Sequence, residues 1–83
     1  MEYKEIVLIN YRHPDTNEVV GVDIVGMVKA SSYVIAGVKD SNKAMDWARN
    51  QSAPIRFVED DVPMDGDTPI FKPFESDLFK VAV

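Results

Sequence analysis

Five carboxylates fall within nine residues in the C-terminal third of the chain, Glu59-Asp60-Asp61-Val62-Pro63-Met64-Asp65-Gly66-Asp67. Oxygen ligands at this density suit a hard cation such as Ca²⁺ or Mg²⁺. Aligning Gly66 with the glycine that turns a calcium loop puts Asp61 at the first loop position and Asp65 at the fifth. The third is then Pro63 and the twelfth Lys72, where the loop needs a carboxylate and a bidentate glutamate. The calcium-loop pattern fails, so no metal site is assigned. Two readings remain for Glu59, Asp60, Asp61, Asp65 and Asp67. They form a partner-binding surface, or they are a solvated stretch whose repulsion keeps a sheet edge from pairing.

Other chemistry finds little support. The chain has no cysteine, which removes thiol nucleophiles, thiolate metal centres and disulfides together. Its single histidine, His13, precedes Pro14 and Asp15 in a turn-forming run, where an imidazole is solvated rather than held as a base. No Gly-x-Ser-x-Gly elbow occurs. Gly21 and Gly26 have the spacing of a phosphate-binding loop, but Met27-Val28 stands where a lysine and a hydroxyl are required. Both glycines read as structural, marking a bulge or a close backbone approach. Hydrolysis by paired carboxylates needs a fixed separation and a sugar-sized cleft, for which so short a chain has little room. The aromatics are not interleaved with lysine or arginine as a base-stacking surface would require. The expectation is a protein that is not an enzyme, with no catalytic residue and no cofactor.

Charge is unevenly spread. Residues 1–58 hold seven acids and seven bases, while residues 59–83 hold seven acids and two lysines, so the net charge of −5 sits at one end. No basic patch suggests direct nucleic-acid contact. No apolar run approaches the roughly 18 residues of a membrane span, and with no basic region and long apolar stretch after Met1 to Lys4 no secretion signal is expected. With no cysteine, the chain is expected to be cytoplasmic.

These residues must be positioned by a single domain spanning 1–83, of the α+β class. Glu5 to Arg12 reads as a strand rich in β-formers. His13 to Asn17 is a turn, and Glu18 to Lys29 returns antiparallel with Val20, Val22, Ile24 and Val28 on one face. Tyr33 to Val38 completes a three-stranded meander. Asp40-Ser41 caps a helix over Asn42 to Gln51, whose Ala44, Trp47, Ala48 and Gln51 recur at helical spacing. Ala53 before Pro54 closes it. Ile55 to Val58 is a short strand, Glu59 to Pro69 an exposed acidic loop, Ile70 to Phe74 an extended edge, and Leu78 to Val83 a final strand. The expected architecture is a small antiparallel sheet of three strands, one helix packed on one face, and one to three further strands.

The leading functional expectation is a non-enzymatic protein-binding module or small inhibitor, acting through its acidic surface on a basic protein. One form of it is a phage-type inhibitor of a nucleic-acid-binding host protein, with carboxylates imitating phosphates. The alternative is a structural or assembly subunit working as a homo-oligomer, with a homodimer expected for so short a chain without staples. A small divalent-metal-dependent enzyme is the third reading.

Overall fold

The computed structural model of the protein describes residues 2–80. Strands β1 (Glu5–Arg12), β2 (Val19–Val28) and β3 (Ser31–Val38) form the expected antiparallel meander. The first turn is set by Asn17, which holds a left-handed φ of 63° and donates its N–H to the His13 carbonyl. The second turn is only Lys29-Ala30, with Lys29 at φ 49°. Ser31 and Ser32 therefore belong to β3, opposite Val28 and Met27, where a longer link was expected. Across the meander Leu8 faces Ile24, and Ile24 faces Ala36. One extra residue, Ile35, is inserted in β3 at this point, and the bulge leaves both Ile35 and Ala36 fully buried.

Helix α1 spans Ser41–Arg49. The Asp40 side chain caps it by accepting from the Asn42 N–H at 2.9 Å. It ends two residues before Gln51, whose side-chain amide instead donates to the Trp47 carbonyl at 3.1 Å. Ala44, Trp47 and Ala48 are buried in one hydrophobic cluster with Ile6, Leu8, Val22, Ile24, Ile35 and Phe79. Burial of this cluster supplies the apolar core of a chain that has no cysteine for a disulfide.

The sheet is mixed rather than antiparallel. Strand β4 (Ile55–Asp61) lies against β1 in parallel register, from Ile6 opposite Ile55 to Arg12 opposite Asp61. Direction follows from connectivity. In a meander β1 and β3 run the same way, and a helical crossover from β3 returns the chain to the end at which β1 begins. A strand entering there beside β1 runs parallel to it.

The acidic stretch is also more ordered than a long loop. Glu59 to Asp61 complete β4, and β5 (Met64–Asp65) pairs with β6 (Thr68–Pro69) in a hairpin turned by Gly66 at φ 62°. Strand β7 (Phe74–Glu75) then pairs with Ala36 and Gly37 at the far edge, giving the order β4-β1-β2-β3-β7. Among the described residues four strand segments thus follow α1, three of them of two residues, where one to three were expected. The final strand expected over Leu78 to Val83 is overturned in its described part. Asp77–Lys80 is a single helical turn, α2, in which Phe79 donates its N–H to the Ser76 carbonyl. Its apolar alternation buries Phe79 against Trp47, with ring centroids 6.0 Å apart. Residues 81–83 lie outside the described residues. Among the described residues no helix is long and apolar enough to cross a membrane.

Candidate acidic surface

The strand period of two divides the acids that the sequence groups together. Asn10 stands opposite Glu59 and Tyr11 opposite Asp60, so Glu59 and Asp60 project to opposite faces of the sheet. Glu59 is already engaged. Its carboxylate accepts from Arg12 Nε at 2.5 Å and from Asn10 Nδ2 at 2.8 Å, tying β4 to β1. The Arg12 hydrogen bond, then that of Asn10, holds the Glu59 carboxyl below its ordinary range. Glu59 is therefore an inter-strand brace as much as a surface acid.

Asp60, Asp61, Asp65 and Asp67 are exposed, and none forms an ion pair among the described residues. One oxygen of Asp60 accepts the Asp61 backbone N–H at 2.8 Å. Asp65 and Asp67 flank Gly66 in the hairpin. Among the described residues no three acidic or imidazole side chains gather as a metal-binding group. His13 lies in the β1–β2 turn, its Nδ1 accepting the Asp15 N–H at 3.1 Å.

Beyond the hairpin the chain folds back over the sheet. Phe71 rests on Gly21 and reaches toward Gly37, and with Tyr11, Asp23, Ile70 and Lys72 it lines an open cleft of about 260 Å³. The Tyr11 hydroxyl donates to Asp23 Oδ2 at 3.0 Å. Burial raises the Tyr11 phenol above its ordinary range, and the Asp23 hydrogen bond and the charges of Asp23 and Asp60 raise it further. Sequence reasoning missed this cleft. Gly21 was its one visible sign, as a point of close approach without a named partner.

The outer edge of β4 is the second exposed feature. Ile6 donates its N–H to Pro54 and Val62 donates to Arg12, which fixes the phase of the parallel ladder at both ends. In that phase Arg56, Val58 and Asp60 turn their backbone groups to β1, and Ile55, Phe57, Glu59 and Asp61 turn theirs outward. No strand pairs with this side among the described residues. Phe57 on this edge is 51% exposed.

No protein-family model matches this chain, and no curated protein and no solved structure matches it.

Proposed function

We propose that the protein is a non-enzymatic binding module of inhibitor type, which meets a basic protein partner through Asp60, Asp61, Asp65 and Asp67. The observation that carries this reading is that these four carboxylates are exposed, without ion pairs among the described residues, and held on a strand end and a hairpin. Such charges act chiefly by steering encounter, so they speed association more than they deepen affinity. The reading takes α1 as the cover of one sheet face, supported by the burial of Ala44, Trp47 and Ala48 with the strand residues, and it places the work in the cytoplasm. In its sharper form the carboxylates stand in for nucleic-acid phosphates on a host nucleic-acid-binding protein.

The test compares immobilised wild type with a variant in which these four aspartates become asparagine, leaving Glu59 and its brace intact. Host lysate passed over both at low and high salt should yield a basic protein retained by wild type alone. Equal retention by the two would remove the acidic surface from the function. Competition of the retained protein by duplex DNA tests the phosphate-mimic form.

A second reading, assembly as a homo-oligomer, is favoured by the outer edge of β4, which no strand pairs among the described residues.

A further inference from the structure

We infer that the outer edge of β4 pairs with the same edge of a second copy, antiparallel about Val58, joining two sheets into one. The inference rests on the homo-oligomer reading and names its interface. It begins from the edge itself, a seven-residue strand whose outward N–H and C=O groups are those of Ile55, Phe57, Glu59 and Asp61. Among the described residues the chain after Asp61 does not cover this edge, because it turns the other way and lays Phe71 over β2 and β3.

A two-fold axis normal to the sheet allows only a few registers, since a residue must face a partner on the same side of the pleat. Centred on Phe57, the pairing overlaps only Ile55 to Glu59 and sets Arg56 against Val58. Centred on Glu59, it overlaps only Phe57 to Asp61, sets the two Glu59 residues against each other and leaves Arg56 outside. Centred on Val58, the whole strand overlaps, Ile55 to Asp61, and every outward backbone group meets one from the other copy. In this register Arg56 faces Asp60 of the second copy, twice by symmetry, at the closer type of antiparallel pair with Cα atoms about 4.5 Å apart. Arg56 is well exposed, and Asp60 has no ion pair among the described residues. Charge complementarity and backbone overlap thus select the same register. On pairing, the Asp60 carboxylate leaves its own Asp61 N–H for Arg56 of the second copy, and that N–H passes to the Ile55 carbonyl opposite.

The experiment is a charge swap read by light scattering and sedimentation at about 100 µM, a concentration that populates even a weak dimer. Wild type should be dimeric. R56D and D60R should each weaken the dimer by roughly tenfold or more, since like charges then face each other twice. The double variant R56D/D60R should recover most of the loss, because only the Val58-centred register places residue 56 opposite residue 60. A monomeric wild type overturns the homo-oligomer reading and the interface with it. A dimer indifferent to the single reversals keeps the reading and overturns the interface. Because Arg56 also bonds Glu5 at 3.3 Å, a second variant avoids that contact. The chain has no native cysteine, and in this register V58C places two thiols across the axis within disulfide reach. V58C should cross-link to a covalent dimer under mild oxidation faster than F57C or E59C. Equal or slower cross-linking of V58C overturns the register.

Discussion

The ring of Phe71 occupies the space that a side chain on Gly21 would need, with three ring carbons 2.5–2.6 Å from where its Cβ would lie. The glycine in β2 is thus a socket, and Phe71 is the residue that fastens the segment after the hairpin to the sheet. Gly21→Ala should push the ring out and destabilise the fold by about 1–3 kcal/mol. In a Phe71→Ala background the same change should be nearly neutral, a coupling that thermal or urea denaturation of the four proteins would measure.

Trp47 is 5% exposed, edge-on to Tyr3 and stacked on Phe79, and its indole N–H has no partner among the described residues. Trp47→Ala should cost about 3–5 kcal/mol, close to the whole stability of a small domain. Trp47→Phe should cost clearly less, because it keeps much of the ring and removes a polar group without a partner. Equal losses on urea denaturation would show that the indole N–H is satisfied.

The Glu59 brace gives stability an acid limb. Its carboxyl ionises at lower pH in the fold than in the unfolded chain, because Arg12 and Asn10 bond the charged form. The contribution is full above the ordinary glutamate range and is lost as pH falls through the lowered folded value. Arg12→Ala should flatten this limb in a series of pH-dependent melts, lowering stability most at neutral and alkaline pH, where the brace is fully formed, and least in acid, where the wild type has already lost it.

Tyr11 supplies the opposite limb. Its phenol is raised by burial and by the hydrogen bond to Asp23, so the fold favours the protonated form. The contribution is full below the ordinary phenol range and disappears as pH rises through the raised folded value. Tyr11→Phe should cost about 1 kcal/mol near neutrality and flatten the alkaline limb, so that the variant and the wild type converge in stability at high pH. Ultraviolet phenolate titration of wild type and variant, beside Tyr33→Phe as control, checks the assignment.

The meander and the helix were legible because each rests on local rules. Ile6 to Ile9 is an unbroken run of β-formers, and Asp40 caps the first helical turn through a bond two residues away. The parallel pairing of β4 was not legible, since Ile55-Arg56-Phe57-Val58 reads alike in either direction and its partner is set by the crossover. The Glu59 brace was hidden for the same reason, as Asn10 and Arg12 become its neighbours only through that pairing. Leu78-Phe79 misled because a buried aromatic in a single helical turn carries the same apolar signal as a strand.

The parallel β1–β4 pair also dictates an order of events during synthesis. Glu59 reaches Asn10 and Arg12 across 49 and 47 residues of chain, whereas β1, β2 and β3 close through short turns. At ribosomal speeds of about 5–20 residues per second, roughly 1–5 seconds separate the synthesis of the end of β3 from that of the end of β4. During that interval the flank of β1 from Ile6 to Tyr11 is an open, apolar strand edge on a nascent chain. Closing so distant a contact is slow, which makes this the stage most exposed to chaperones and to pairing between neighbouring nascent copies.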